Sequence, residues 1–310
     1  WLYEYEDIKG EDKEREVQHI NPYLVEGEDV YIESRRNSIC DVPEIVFGSM
    51  PNDGGNFLFT PEEKEAFLED EPSAELFIKE LISAKEYLNG EKRYCLWLKD
   101  ADPTALKKLP KVLERIENVR KLRGESKRKE TKELAKFPAL FGEIRQPETN
   151  YVVIPRVSSE NREYIPMGFF DAGKIVGDTC LAIPNATLYH FGVLQSEMHM
   201  VWVKYVCGRL KSDYRYSNNI VYNNFPWPKN VSEEKKKKVE ECVEYLLTIR
   251  TTFPNSSLAD LYDPNTMPPD LRRAHERLDT AVEACYDKKF KDDQERISFL
   301  FGLYKKYTAK

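Results

Sequence analysis

The chain has 310 residues, of which 41% are hydrophobic and 12% aromatic; that suits two domains, or one large domain with an appendage, and supplies a real core. With 33% charged residues the surface is heavily solvated, and general disorder is excluded. The net charge of −7 hides a polarised distribution: residues 1–84 hold 7 Lys/Arg against 22 Asp/Glu, a net of −15, while residues 85–162 hold 19 against 12, a net of +7. Affinity for phosphate follows local patches and not the total, so the overall acidity does not rule out a nucleic-acid partner.

No apolar run approaches the length of a membrane span, and the opening WLYEYEDIKGEDKERE lacks a signal-peptide pattern. A Trp at position 1 points to a piece of a longer polypeptide. The cysteines Cys40, Cys95, Cys180, Cys207, Cys242 and Cys285 include no CxxC pair. Their scatter argues against a zinc ribbon and for reduced, buried thiols in a cytoplasmic protein.

In chain order, residues 1–60 alternate apolar and polar in short runs, 20-INPYLVEGEDVYI-32 and 39-ICDVPEIVF-47, broken by Asn, Pro and Gly. Strands and loops are predicted there. The turn-rich 48-GSMPNDGGNF-57 reads as an exposed loop. From Thr60 as a cap and Pro61 at the first helical position, 60–82 predicts two short helices split near Pro72. A compact strand, 93-RYCLWL-98, follows.

Residues 103–138 form the most charged helical unit, with 12 Lys/Arg against 5 Asp/Glu between 107 and 136. Leu109, Val112, Leu113, Ile116 and Val119 fall at helical spacing, so one face is buried, and Gly124 ends the first helix. Strand-like runs return at 151-YVVIPRV-157, 164-YIPMGFF-170, 180-CLAIP-184 and 220-IVYNNF-225, interrupted by a helix over 196–210. Beyond 228–231 the character changes to three helices, over 231–253, 269–287 and 293–307. The fold class is therefore α+β, a mixed α/β region handing over to an all-α tail.

Catalytic motifs do not assemble. The run 221-VYNNFPWP-228 has the ingredients of the amine-gripping Asn-Pro-Pro-aromatic tetrapeptide of amino-methyltransferases, but Phe225 and Trp227 separate its prolines; Asn21-Pro22-Tyr23 is one proline short. No glycine-rich cofactor loop precedes either, since 52-NDGGNF-57 lacks a buried strand before it. His19, His190, His199 and His275 form no HExxH motif and no Ser-His-Asp arrangement.

Three basic or polar clusters remain. The 103–138 unit offers Lys107, Lys108, Lys111, Arg115, Arg120, Lys121, Arg123, Lys127, Arg128, Lys129 and Lys132 as phosphate anchors or as a solvated helix face. The stretch 155-PRVSSENREYIP-166 gathers Arg156, Ser158, Ser159, Glu160, Asn161 and Arg162 in one turn. Such groups read base edges (Arg to guanine, Asn to adenine, Glu from the cytosine amine), although a surface turn can also be polar without a ligand. The third, 209-RLKSDYRYSNN-219, interleaves Arg209, Lys211 and Arg215 with Tyr214 and Tyr216, as suits backbone contact and stacking or an ordinary amphipathic loop.

The runs 45-IVFGSMPNDGGNF-57, 141-FGEIRQP-147, 154-IPRVSSENREYIP-166, 184-PNATLYHFGVL-194, 205-YVCGRLKSDYRYS-217, 221-VYNNFPWP-228 and 257-SLADLYDPNTMPPDLRRAHERLD-279 resemble the MmeI-like class of DNA methyltransferases, single-chain bacterial restriction–modification enzymes. The resemblance implies the tail end of a methyltransferase domain over 1–20, a target-recognition domain over 21–228 and a helical C-terminal domain over 231–310. It implies an enzyme that methylates an adenine amino group, with many members also cleaving DNA. The cofactor loop, the catalytic tetrapeptide and the nuclease motif of that class lie upstream of this region. S-adenosylmethionine would thus bind in a catalytic domain of the same polypeptide, and no catalytic residue, metal or cofactor site is carried over here. The partner implied is double-stranded DNA.

Base reading is carried over most directly onto Glu160 and Arg162, by their Glu-x-Arg spacing, with Ser159, Asn161 and Tyr164 as neighbours. Lys127, Arg128, Lys129, Arg145, Arg156, Arg209, Lys211 and Arg215 are the expected phosphate contacts. The rival expectation is a protein-interaction module of a larger assembly, with DNA contacted elsewhere.

Overall fold

The computed structural model describes residues 1–5 and 11–309. Strands Leu2–Tyr5 and Asp12–Arg15 pair as an antiparallel ribbon at the start. The centre is a four-stranded antiparallel sheet in the order Val46–Phe47, Cys180–Pro184, Tyr151–Pro155, Gly168–Phe170. Side chains alternate across a strand with period two, and here both faces are covered. Val152, Ile154, Leu181 and Ile183 join the largest core, whereas Tyr151, Val153, Cys180 and Ala182 meet Ile82 and Val176 on the other side.

A second sheet runs Ile175–Val176, Ile78–Ile82, Tyr94–Leu96, Leu58–Phe59, its first pair parallel. The helix Pro110–Gly124 packs onto its neighbourhood through Val112, Ile116 and Val119, forming a separate core with Phe57, Phe59, Leu96 and Phe141. That helix stops at Gly124, as the sequence predicts, and a short helix Lys129–Glu133 follows. A third sheet joins Gly208–Leu210, Asp213–Arg215 and Val157–Ser158, antiparallel throughout.

The tail is helical as expected: Glu233–Thr251, Pro269–Cys285 and Asp293–Thr308, with a short turn Leu258–Leu261. Its core is not its own. Gly192, in a helix Leu188–Leu194 that the sequence reading passes over, leaves so little room that a Cβ there would lie 2.4 Å from Val239 and 3.3 Å from Leu278. One continuous apolar cluster therefore runs from Val25 through Trp202 to Tyr304. No described helix is long and apolar enough to cross a membrane.

Three local expectations are corrected. The 48–57 loop is not simply exposed: Ser49, Asp53 and Phe57 are buried, and the loop is bridged to Gly177 and Glu143. Residues 78–82 form a strand and not the second half of a helix, because Ile175–Val176 and Tyr94–Leu96 pair with them from either side. Residues 218–222 form a π-helical turn capped by Ser217, not a strand. Its neighbour Asn224 donates to the carbonyls of Glu33, Asn219 and Ile220, and Asn223 to those of Arg35 and Arg36, so side-chain amides take the place of a strand partner.

Candidate nucleic-acid interface

The turn over 159–163 leaves the third sheet directly after Ser158, which is buried and registered opposite Tyr214. Its far end is fastened to the helical tail. Tyr164 is buried, its hydroxyl donates to Asp279 Oδ2 at 2.7 Å, and its ring stacks on His275 with centroids 3.8 Å apart. Glu163 pairs with Arg272 one turn earlier on the same helix. A short loop held at both ends presents its middle residues in a fixed posture, and these are Glu160 and Asn161, exposed, with Ser159 and Arg162 half-buried.

The predicted base-reading set thus divides. Ser159, Glu160, Asn161 and Arg162 share the turn. Tyr164 faces the interior, which corrects its expected role to that of an anchor: its side-chain oxygen is spent on Asp279, and burial, reinforced by the adjacent carboxylate, pushes the phenol pKa up, keeping the donor proton. The Arg162 guanidinium bonds weakly to Ser158 Oγ at 3.5 Å; burial lowers its pKa while Asp213 and Asp263 oppose the shift. An arginine stays charged in either case.

Beneath the turn lies a polar chain that the sequence reading misses. Arg250 donates to the Tyr262 hydroxyl, which is left to donate its own proton to His275 Nε2 at 2.9 Å. Burial holds His275 well below the usual histidine range, so the ring is the neutral acceptor this chain needs. Arg250 also reaches the Met167 carbonyl and Gln195 Oε1, and Gln195 donates to the Ile165 carbonyl. The segment that leads from the turn to the strand Gly168–Phe170 is thereby held by side-chain bonds as well. A signal existed: His275 and Asp279 fall in the apolar stripe Leu271, Ala274, Leu278, Val282, where a polar residue must find a buried partner.

Asp279 titrates oddly. Burial drives its carboxyl up to about 7, against the bonds from Tyr164 and the Glu197 amide and against Arg296, while nearby Glu197 adds to the rise. A carboxyl whose folded pKa lies above its ordinary 3.8 binds protons more tightly in the folded state, so its contribution to stability declines as pH rises from roughly 4 to about 7. The slope reaches about 1.4 kcal/mol per pH unit. The expected result is that Asp279→Asn flattens the fall in melting temperature between pH 5 and 7.5; parallel curves for variant and parent would remove Asp279 from the account. Comparison with the parent matters, because buried His199, held near pKa 3, and His275 impose the opposite slope below pH 6.5.

The expected phosphate contacts also divide. Lys127, Arg128 and Lys129 are exposed, the first two on the segment between the two helices of the basic unit and Lys129 at the start of the second. Lys211 and Arg215 are exposed on the hairpin beside the turn, Lys211 with φ +57° at the tip. Arg145 and Arg156 instead flank the Phe47 ring at 5.6 and 4.9 Å; Arg145 pairs with Glu143, and Arg156 donates to the Asp178 carbonyl. Arg209 lies over Tyr214. Within the basic helix Arg123 is fully buried, Arg115 lies 4.2 Å over Phe59 and bonds the Asn56 carbonyl, and Lys111 pairs with Asp70. Arg123 and Arg115 are thus committed to packing, by five carbonyls in the first case and by the Phe59 and Phe67 rings in the second, while Lys111 stays exposed beside its ion pair.

The motif 221-VYNNFPWP-228 is occupied too. Asn223 and Asn224 are committed to main-chain carbonyls, His199 meets Phe225 edge-on at 4.7 Å, and Phe225 meets Trp227 at 5.6 Å. Tyr286 and Tyr307 of the helical tail donate to the carbonyls of Pro226 and Trp227. The motif seals the junction between the mixed unit and the tail. Asn21 uses its side-chain oxygen within its own turn, accepting from Tyr23 and Val25.

A mixed α+β unit presenting a clamped polar turn beside a basic hairpin, and closed by a helical tail, is the architecture of a target-recognition domain with its C-terminal domain. Residues 26–229 match the family model described as MmeI, target recognition domain, and residues 231–310 match that of the MmeI C-terminal domain. The chain belongs to the MmeI family. It is 42% identical over 295 residues to DNA methyltransferase A of Bacillus subtilis (strain 168), covering 95% of this chain and 33% of that protein. It superposes with a TM-score of 0.92 and 44% identity on the type IIL restriction-modification enzyme MmeI, solved in complex with DNA, over 99% of this chain and 41% of that one. The chain thus spans about a third of the curated relative it matches.

Proposed function

We propose that this chain reads a specific sequence in double-stranded DNA for a restriction–modification methyltransferase that transfers a methyl group from S-adenosylmethionine to an adenine amino group. The observation that carries the reading is the turn clamped at Ser158 and Tyr164, which holds an exposed Glu160 and a half-buried Arg162 two residues apart. An ionised glutamate only accepts hydrogen bonds and so suits a base amino group, cytosine N4 above all; arginine donates two parallel bonds to guanine O6 and N7. Ser159 and Asn161 are near enough in the turn to extend the contact. Lys127, Arg128, Lys129, Lys211 and Arg215 serve as phosphate anchors that set register without reading sequence.

In this reading the cofactor and the catalytic tetrapeptide belong to a methyltransferase domain of the same polypeptide, which flips the adenine out of the stack while the recognition unit holds the duplex. The enzyme works in the cytoplasm, where DNA lies and unpaired thiols such as the six here persist.

Enrichment of a randomised duplex pool by the 310-residue chain, over a range of salt, tests the reading. Arg162→Ala is expected to relax preference at one base position by about 1–3 kcal/mol, roughly 5- to 150-fold. Lys127→Ala is expected to weaken binding to all sequences alike and to lower the salt slope by about one. Uniform loss in both variants means the turn is not the reader. Failure of the chain to bind duplex DNA at low salt overturns the reading and favours a protein-interaction module.

A further inference from the structure

We propose that Arg209 is a specificity-positioning residue that orients the Glu160 carboxylate, and not a phosphate contact; the inference rests on Glu160 being a base reader. Arg209 Nη1 lies 3.7 Å from Glu160 Oε2. The same guanidinium donates to the Ser212 carbonyl at 3.0 Å and the Lys204 carbonyl at 3.3 Å, and it lies 4.1 Å over the Tyr214 ring. Tyr214 is itself buried and paired across the sheet with Ser158, the residue from which the turn departs. Arg209 and the turn are therefore referenced to the same strand, Asp213–Arg215, from its two sides.

An exposed ion pair usually contributes little, because two long side chains must both be ordered to form it. Here one partner is already ordered by two carbonyls and a ring, so the cost of holding the other is reduced. The pairing also divides the labour of the carboxylate: Oε2 faces Arg209, and Oε1 is left for a donor on the base. A glutamate entering a groove lined by phosphates meets repulsion at every step, and a fixed cation behind it offsets that field. A phosphate anchor requires the reverse, a guanidinium whose donors and faces are free to move onto the backbone.

The selectivity that follows is for one amino group, cytosine N4 or adenine N6, at the angle Arg209 imposes on Glu160. Loss of Arg209 leaves the acceptor in place and frees its direction, so discrimination falls while affinity for non-cognate duplex changes little.

The test is enrichment of a randomised duplex pool by the 310-residue chain carrying Arg209→Ala, Arg209→Lys, Glu160→Gln or the Arg209→Ala/Glu160→Gln pair. Arg209→Ala is expected to lower discrimination roughly tenfold at the same base position that Glu160→Gln affects. The double variant is expected to be no worse there than Glu160→Gln alone, since residues acting through one contact are not additive. Arg209→Lys keeps the charge without the planar fork and is expected to fall between parent and alanine variant; it also carries the test if the alanine variant fails to fold. Uniform loss of affinity with a shallower salt slope and intact discrimination would make Arg209 a phosphate anchor and overturn the proposal. If Glu160→Gln alters one position and neither Arg209 variant does, only this inference fails. If Glu160→Gln alters none, the base-reading role of the turn fails with it.

Discussion

Arg123→Met is expected to cost on the order of 3–5 kcal/mol and to unfold the unit built around the second sheet, because it removes a charged side chain that gathers five carbonyls at a fully buried site. Arginine carries five N–H groups, and all five are used. Nε donates to the Asn52 carbonyl at 2.9 Å; Nη1 donates to Leu134 at 3.3 Å and Phe137 at 3.1 Å; Nη2 donates to Pro51 and Leu140, both at 2.8 Å. Methionine fills a similar volume and leaves those five carbonyls without the cation that gathers them. Arg123→Lys keeps the charge but only three donors, and its loss is expected to be smaller. Urea denaturation followed by circular dichroism measures both; a loss under 1 kcal/mol for methionine would show that water replaces the side chain at little cost.

Gly48→Ala is expected to cost about 3 kcal/mol or more, an overpacking penalty with nowhere to relax. A Cβ there would stand 2.0 Å from the Gly177 carbonyl oxygen, 2.4 Å from its carbon and 2.9 Å from the Val176 oxygen, all of them main chain. Those atoms cannot swing aside as a side-chain tip does. Gly48 donates to the Cys180 carbonyl, Ser49 to that of Val176, and Gly177 to that of Ile82, so the two large sheets meet at this crossing. Gly124→Ala is the matched control. Nothing lies within 4 Å of its added carbon, and alanine in a helical turn is expected to be neutral or mildly stabilising. Equal melting temperatures for the two alanine variants would refute the steric argument.

What the sequence reveals and conceals follows from the range of the interactions. The Thr60 cap with its Glu63 partner, the proline-led helix starts and the three tail helices are legible because capping and apolar periodicity act within a few residues. The strand Ile78–Ile82 is not, since its parallel partner lies more than 90 residues further on. The Glu160–Arg162 turn is visible as a polar island between prolines, but nothing local tells Tyr164 from its neighbours; its partner Asp279 is 115 residues away. The basic unit is the sharpest lesson. Arg123, Arg115 and Lys127 look alike in a charge count, and only the placement of carbonyls and rings separates the first two from an exposed cation. VYNNFPWP likewise carries a catalytic accent in one dimension and a structural duty in three.

Under the proposed base-reading role of the turn, the tether from Tyr164 and Glu163 to the helix Pro269–Cys285 would make specificity a heritable pair of segments. A relative cannot exchange only the turn and its flanks and keep its posture, because the hydroxyl at 164 and the carboxylate at 279 are two halves of one fastening. Across descendants of a common ancestor, substitutions at 163 and 164 should travel with compensating changes at 272 and 279, while 160 and 162 vary freely with the DNA word each lineage has come to prefer.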